Sequence, residues 1–175
     1  METWKYFDIT HSEHTICNPS SLEKITRLVQ LLRLQQGAKV LELACGKGEF
    51  LAQLAQAYSI SAVGVDISPY CIRDARATLA QRIPQADVTL LEMDASEYQP
   101  DAPASLDLTV CLGASWIYDG HRGTLAALKA MTRPGGLIVV GEPYWRKEPD
   151  PAYLQLAGFE SDTFGTHYEL SLIHI

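Results

Sequence analysis

The amino-acid sequence predicts an α/β fold, a three-layer sandwich in which helices cover both faces of a mainly parallel sheet. Two observations support this prediction. Short runs rich in branched residues recur along the chain, and patterns with helical spacing separate them. This alternation is typical of a parallel sheet, because each crossover helix returns the chain to the same edge. The runs predicted as strands are residues 39–43, 61–65, 88–92, 106–112 and 137–140.

The segments between these runs predict the crossover helices. Periodic apolar positions indicate helices over 48–58, 69–82 and 120–131, each long enough for a right-handed crossover. A further helix is expected before the first strand. There Ser20 and Glu23 have the spacing of a capping box, and Gly37 is expected to end the helix. Because ligands of such sheets bind at the carboxyl ends of the strands, we look for function there.

The charge and cysteine content argue against several classes of function. Fourteen Lys and Arg against twenty-one Asp and Glu leave a net charge of −7, and the basic residues form no stripe. Nucleic-acid binding is therefore not expected, because a phosphate backbone needs clustered positive charge. The four cysteines lie far apart and away from any histidine at ligand spacing, so no metal site is expected and a cytoplasmic location fits best. No membrane span or signal peptide is expected either.

A glycine-rich turn follows the first strand. The residues Glu42-Leu43-Ala44-Cys45-Gly46-Lys47-Gly48 are mostly small and lead directly into a helix, so a ligand could approach the backbone closely. The same glycines could instead serve only the dihedral angles of a tight turn. The motif needs supporting residues elsewhere before it indicates a ligand site.

Acidic residues provide that support at the next two strand ends. Asp66 ends the second strand, where a carboxylate can accept the ribose hydroxyls of a nucleoside that lies across the sheet edge. Asp66 could instead cap the following helix, although Ser68 could serve as that cap and leave the carboxylate free. Asp94 follows the third strand. We expect Glu42, Asp66 and Asp94 to surround one site.

These residues resemble motifs of the class I S-adenosylmethionine-dependent methyltransferases, which have a Rossmann-like fold. Segment 42–48 resembles the first motif of that family, Asp66 its ribose-binding acid, and Asp94 the acid that meets the adenine amino group. The resemblance covers roughly residues 17–145, including the fourth strand with its loop and the turn at 133–136. A bacterial branch of little-characterised small-molecule methyltransferases has similar segments at 111–117, 120–125 and 141–145.

The resemblance implies S-adenosylmethionine as cofactor and in-line methyl transfer to an unidentified small molecule. It implies cofactor contacts from Glu42, Ala44, Cys45, Gly46, Gly48, Asp66, Ile67, Asp94, Ala95, Leu112 and Gly113. Two residues depart from the family pattern, since Glu42 stands where Asp is commoner and Ala44 where glycine usually lies. The Cβ of Ala44 tightens the approach to the backbone if its φ is negative, which lowers the expected affinity without changing the cofactor.

Candidate bases stand in the loops after the fourth and fifth strands. They are Tyr118, His121 and Glu142, and one is needed only if the methyl acceptor is protonated. His121 could instead cap or pack the following helix. Two other functions stay open. A nicotinamide-dependent oxidoreductase is disfavoured because its fingerprint needs Gly or Ala at Leu51. The alternative from another class is a cofactor-binding or structural module without catalysis.

The seven-stranded sheet of the family implies that the carboxyl-terminal part is incomplete here. We interpret the chain as one domain with an N-terminal lid and helix at 1–36, a cofactor-binding core at 37–145 and an incomplete part at 146–175. After a short helix near 152–156, only 164–173 could supply a strand, so the sheet is predicted to stop after strand five or six. Strand five would then be an exposed edge, through which the chain could self-associate.

Overall fold

The computed structural model describes residues 3–171, which form the predicted α/β fold around one parallel sheet. The five strands of this part are β1 (Ala38–Leu43), β2 (Ile60–Asp66), β3 (Asp87–Glu92), β4 (Leu106–Leu112) and β5 (Thr132–Gly141). Every strand pair in the sheet is parallel, and the spatial order is β3-β2-β1-β4-β5. All five strands lie where the sequence predicts them, and β5 begins five residues earlier than expected.

Helices connect and cover these strands. The α-helices of the described part are α1 (Thr3–Thr10), α2 (Leu22–Leu32), α3 (Glu49–Ala57), α4 (Pro69–Arg82), α5 (His121–Met131), α6 (Pro151–Ala157) and α7 (His167–Ser171). Two short 3₁₀ helices follow β3 and β4, at Ala95–Glu97 and Ser115–Tyr118. The three predicted crossover helices are confirmed as α3, α4 and α5. Within residues 3–171 no helix is long and apolar enough to cross a membrane.

Two apolar cores hold the sheet between its helical layers. On one face Val40 and Leu108 pack with residues of α2, α3 and α4, among them Leu51. On the other face Leu41 packs with Leu128 of α5 and with the 3₁₀ segments. Neighbouring strand residues thus enter opposite cores, because side chains alternate across a strand. Burial on both faces explains why the three central strands, β1, β2 and β4, are mainly apolar runs rather than alternating patterns.

The direction of the chain across the sheet reverses at β1. The chain passes from β1 outward to β2 and β3 and then returns to place β4 on the other side of β1. The loops after β1 and β4 consequently leave their strands in different directions and open a crevice between them. This reversal point is where open α/β sheets bind ligands.

The boundaries of α2 correct two expectations. The N-cap is Ser21, whose hydroxyl accepts the backbone N–H of Lys24 at 3.3 Å. Ser20 lies outside the helix because its own N–H donates to the Asn18 side chain at 2.9 Å. The helix also ends earlier than expected, with Arg33 at the C-cap, while Gly37 occupies the turn before β1 with φ of 74°.

The two ends of the described chain also differ from expectation. Residues 3–10 form α1, a helix that is not among the sequence predictions. The short helix near 152–156 is confirmed as α6, but the expected strand over 164–173 is wrong for the described residues, where α7 forms instead. Thr166 and Glu169 make a capping box, in which each side chain accepts the backbone N–H of the other. Residues 172 and 173 lie outside the described part.

Gly64 in β2 is a packing constraint of the core beneath the glycine-rich turn. A Cβ at this position would lie 2.6 Å from Leu51 Cδ1, 2.9 Å from Leu90 Cδ2 and 3.0 Å from Cys45 Sγ. Gly64→Ala is therefore expected to lower the free energy of unfolding by about 1–3 kcal/mol, measured by denaturant titration. Ser61→Ala, at an exposed position of the same strand, is the control and should stay within about 0.5 kcal/mol of wild type. Wild-type stability of the Gly64 variant would contradict this picture.

Candidate active site

A cavity of about 380 Å³ lies at the carboxyl ends of β1, β2 and β4. Glu42, Asp66 and Asp94 all line it, so the structure brings the three acids together around one space. The other expected contact residues at its wall are Ala44, Cys45, Gly46, Ile67, Ala95, Leu112 and Gly113. Gly48 is the exception. It lies at the N-cap of α3, and a Cβ there would sit 3.1 Å from Ala75 Cβ, so Gly48 serves the turn and its packing on α4.

The glycine-rich turn follows a left-handed backbone path at several positions. Gly46 and Gly48 have φ of 53° and 74°, a region that favours glycine. Ala44 also has a positive φ, of 55°, so the negative φ considered in the sequence analysis does not occur. An L-residue with a Cβ pays roughly 1–2 kcal/mol in this region, which explains why glycine is the commoner residue here. The turn is thus locally strained where the cavity begins.

Asp66 holds this turn to the end of β2. The backbone N–H of Gly46 donates to Asp66 Oδ2 at 2.8 Å, and that of Ser68 donates to Oδ1 at 2.9 Å. Ser68 is the N-cap of α4, its hydroxyl accepting the N–H of Cys71, so the interpretation of Asp66 as the cap is wrong. Burial raises the pKa of Asp66, and the two N–H groups oppose that rise. Each carboxylate oxygen keeps acceptor capacity for a ligand.

Glu42 places a second acid beneath the turn. Its side chain is 3% exposed, and among residues 3–171 its Oε2 atom has no hydrogen-bond partner. Burial raises the pKa of Glu42 well above its usual value, and the negative charge of Asp66 raises it further. A buried polar atom without a partner is unfavourable. A hydrogen-bond donor or a cation in the cavity would satisfy Glu42 Oε2.

Asp94 follows β3 and is more accessible than Glu42 and Asp66. It caps the 3₁₀ helix Ala95–Glu97 by accepting the hydroxyl and the backbone N–H of Ser96, at 2.7 and 2.8 Å. These two bonds, the hydroxyl first, lower the pKa of Asp94 below its usual value. Asp94 therefore stays ionised at neutral pH and presents acceptor atoms beside the cavity.

The N-terminal segment, residues 3–18, completes the cavity wall, in the part of the chain where a lid is expected from the sequence. Trp4, Phe7, Ile16, Cys17 and Asn18 of this segment line the cavity. The Asn18 amide donates to the Leu112 carbonyl at 3.1 Å. A Cβ at Gly113 would lie 2.9 Å from Asn18 Cβ, so glycine permits this close approach. These contacts join segments far apart in the chain, and no local motif predicts them.

Lys47 of the glycine-rich turn holds the N-terminal segment in place. Its ammonium group donates to the carbonyls of His11 and Ser12 at 2.8 and 3.4 Å and lies 3.4 Å from Asp74 Oδ2 of α4. A second ion pair joins Arg73 of α4 to Asp8 of α1 at 3.0 Å. The Lys47 side chain is only 11% exposed, so water screens its contacts weakly.

None of the three candidate bases lines this cavity. The Tyr118 hydroxyl donates to the Ala95 carbonyl at 2.8 Å and so joins the two 3₁₀ segments. His121 begins α5 and lines a separate cavity with the carboxyl-terminal segment. Within the described part, His121 Nδ1 and Glu142 Oε1 are buried and have no hydrogen-bond partner. The structure therefore leaves these residues outside the wall of the cavity that the three acids line.

Comparison with known proteins is consistent with this geometry. Residues 40–136 match the family described as a methyltransferase domain. A solved SAM-dependent methyltransferase from Geobacter sulfurreducens, in complex with S-adenosyl-L-homocysteine, has a TM-score of 0.87 and 37% identity, and the match covers 95% of this chain and 67% of that one. A SAM-dependent methyltransferase from Thiobacillus denitrificans, also in complex with S-adenosyl-L-homocysteine, has a TM-score of 0.87 and 35% identity. That match covers 97% of this chain and 68% of the other.

One curated relative is longer than this chain. The uncharacterised protein YjhP of Escherichia coli K12 is 34% identical over 149 residues, which are 85% of this chain and 59% of that protein. The chain thus spans less than two thirds of that relative. Because the domain match covers more than half of the chain and solved relatives share its fold at 37% and 35% identity, the chain belongs to the class I S-adenosylmethionine-dependent methyltransferases.

Proposed function

We propose that this chain binds S-adenosylmethionine and belongs to an enzyme that transfers the methyl group to a small-molecule acceptor. The main support is the cavity in which Glu42, Asp66 and Asp94 surround one space beside the glycine-rich turn. The Geobacter and Thiobacillus relatives bind the demethylated form of this cofactor in their solved complexes. The proposal concerns the protein as a whole. The chains of those two relatives are longer than the chain described here.

The residues at the cavity fit the chemical groups of this cofactor. S-adenosylmethionine supplies an electrophilic methyl group on a sulfonium, and it also carries an ammonium group and an adenosine. The unpartnered Glu42 Oε2 is an acceptor suited to a cation. Asp66 has free acceptor capacity for ribose hydroxyls, and Asp94 offers acceptors to an exocyclic amine. Gly46 permits close approach of a ligand to the turn because it adds no side chain.

The N-terminal segment is, in this proposal, a lid over the bound cofactor. Its apolar side chains Trp4, Phe7 and Ile16 line the cavity and would exclude water from the bound molecule. Lys47 connects the lid to the turn itself. Excluding water strengthens every electrostatic contact inside the site, because the surroundings become less polarisable.

The methyl acceptor would bind outside the three-acid cavity, on the side of β4 and β5. Methyl transfer depends chiefly on holding the acceptor in line, and a base is required only for a protonated acceptor. Glu142 and His121 remain the proposed acceptor-side groups, because each has a buried polar atom without a described partner. Tyr118 is better explained as a positioning residue, since its hydroxyl is bonded to Ala95.

The proposed location of the protein rests on its cysteines, and the proposed class of acceptor rests on its net charge. A cytoplasmic location accords with four free cysteines and with the absence of any disulfide among the described residues. The net charge of −7 favours a small-molecule acceptor over a nucleic acid. β5 stands at the edge of the sheet and Leu137 is 41% exposed, so self-association through this edge stays a prediction.

Calorimetric titration with S-adenosylmethionine, S-adenosylhomocysteine and NAD tests the cofactor assignment. We expect heat from the first two ligands and none from NAD. Asp66→Ala should weaken binding through about two lost charge-assisted hydrogen bonds, each worth roughly 1.5–3 kcal/mol. Asp87→Asn, at the exposed start of β3, is the control and should bind like wild type. Binding of NAD alone would instead support an oxidoreductase. Binding of none of the three ligands would support a structural module without catalysis.

Glu42→Gln tests the buried acid through its effect on stability. Above pH 4.5, the usual pKa, unfolded chains release the Glu42 proton while the folded protein retains it. The free energy of unfolding of the ligand-free protein should therefore fall as pH rises through this range, because the folded state binds more protons. Glu42→Gln should flatten this fall and stabilise the ligand-free protein at neutral pH. Denaturant titrations at a series of pH values from 4.5 upward measure the free energy of unfolding of both proteins.

Asp66 contributes to the pH dependence in the same direction, because its pKa is also raised, so a residual slope is expected in the Glu42 variant. The matched control is Glu92→Gln, the same substitution at the exposed end of β3. Its free energy of unfolding should depend on pH with the same slope as that of wild type. Equal slopes for wild type and Glu42→Gln would show that Glu42 is ionised in the folded protein, contrary to its burial.

Lys47→Met tests the lid. The substitution keeps the length of the side chain but removes the bonds to His11 and Ser12 and the ion pair with Asp74. We expect faster dissociation of S-adenosylhomocysteine and binding weaker by about 1–3 kcal/mol. Lys5→Met, at an exposed position of α1, is the control. Dissociation at the wild-type rate from a folded Lys47 variant would argue against a lid held by this residue.

A further inference from the structure

Trp116 is a large apolar side chain at the wall of the cavity that the protein leaves mostly uncovered. It lies in the 3₁₀ helix Ser115–Tyr118, lines the cavity of the three acids and is 74% exposed. Among residues 3–171 no aromatic pair includes Trp116. Trp145, by contrast, packs against other aromatic rings and donates its Nε1–H to the Ser161 carbonyl at 3.1 Å. Trp116 therefore contributes little to the packing of the described protein.

The backbone that carries Trp116 is nevertheless held in place on both sides. The backbone N–H of Gly120 donates to the Ser115 carbonyl at 3.0 Å, and Ser115 itself is buried. At the other end of the segment the Tyr118 hydroxyl donates to the Ala95 carbonyl at 2.8 Å. The indole of Trp116 is thus open to solvent on a fixed support, so a ligand that contacts it has little additional backbone to order.

Trp116 belongs to a cavity wall that is largely apolar beside the three acids. Ile117 follows it in the same segment, and Trp4 and Phe7 of α1 line the same cavity. The rings of Trp4 and Phe7 pack edge to face, with their centroids 6.4 Å apart. The N-terminal segment reaches the end of β4, just before Trp116, through the bond of the Asn18 amide. Two distant parts of the chain therefore offer aromatic and aliphatic surface to a ligand of this cavity.

The charges of the cavity wall disfavour a negatively charged ligand beside the cofactor. Among the described residues of the wall, Lys47 is the one cation, and its ammonium group is already bound to Asp74 and to two carbonyls of the N-terminal segment. Besides the three acids the wall contains Glu49, which is paired with Arg82. An anion would therefore meet negative charge without an available cation, and like charges repel. An uncharged ligand avoids this repulsion.

We propose that Trp116 contacts the methyl acceptor, and that this acceptor is an uncharged molecule whose aromatic ring stacks on the exposed indole. The inference rests on the proposed function, because it concerns the ligand that binds beside the cofactor. Trp116 follows β4, the strand on whose side we place the acceptor. A saturated ring would gain only the burial of apolar surface, whereas stacked aromatic rings also attract each other through their quadrupoles. Trp116 thus determines specificity for a ring-containing acceptor.

Calorimetric titration of the full chain, saturated with S-adenosylhomocysteine, tests the class of acceptor. The probes share one carbon skeleton: β-naphthol is aromatic and uncharged, β-decalol is saturated, and β-naphthoate is aromatic and anionic. We expect β-naphthol to bind at a single site and each of the other two to bind about three- to tenfold more weakly. Equal affinity for β-decalol or β-naphthoate, or no binding of β-naphthol, would overturn the proposal.

Two variants of Trp116 test whether this residue forms the site. Trp116→Leu keeps an apolar side chain but removes the ring, so β-naphthol should bind about three- to tenfold more weakly, whereas Trp116→Phe should retain most of the affinity. Both variants should bind S-adenosylhomocysteine within about twofold of wild type, since the position is exposed. Leu156→Ala, an exposed position of α6 outside the cavity wall, is the control and should bind both ligands like wild type. Circular dichroism shows whether each variant is folded.

The outcomes of these titrations separate this inference from the proposed function. Unchanged binding of β-naphthol by Trp116→Leu would place that ligand elsewhere, and weakened binding of S-adenosylhomocysteine by the same variant would assign Trp116 to the cofactor. Either result overturns the role of Trp116 and leaves the proposed function standing. Wild type that binds no S-adenosylhomocysteine would contradict the proposed function and, with it, an acceptor site beside the cofactor.

Discussion

The buried carboxylate of Asp66 is the interaction on which the site depends. Its two oxygens accept the backbone N–H groups of Gly46 and Ser68, so one side chain connects the turn after β1 to the start of α4. Without these acceptors the left-handed turn would leave N–H groups unpaired near the cavity. The same side chain lies at the end of β2, in the crevice where the strand order reverses. Asp66 thus both builds the turn and faces the cavity.

The buried acids of the site are costly in stability. Glu42 and Asp66 are both buried, and their raised pKa values show that the low polarisability of the site disfavours their charged forms. Ala44 adds backbone strain through its positive φ. Strain and buried polar groups of this kind are common at functional sites, where a bound ligand offsets them. A cation in the cavity would relieve the electrostatic part of this cost.

The glycine-rich turn also controls the N-terminal segment. Lys47 belongs to the turn and bonds to the carbonyls of His11 and Ser12, and Gly46 lies against Cys17. A change in the turn is therefore passed directly to the segment that covers the cavity. The same short stretch of chain shapes the floor of the site and holds its cover, which makes both sensitive to the charge of Lys47.

The sequence by itself determined the sheet and the floor of the site, because strand periodicity and strand-end residues are local properties of the chain. The five strands, the glycine-rich turn, Asp66 and Asp94 could all be predicted in this way. Only the tertiary structure decided which residues of the N-terminal segment line the cavity, and that Tyr118, His121 and Glu142 stand outside its wall. Such contacts depend on how distant segments pack in three dimensions, which no linear pattern specifies.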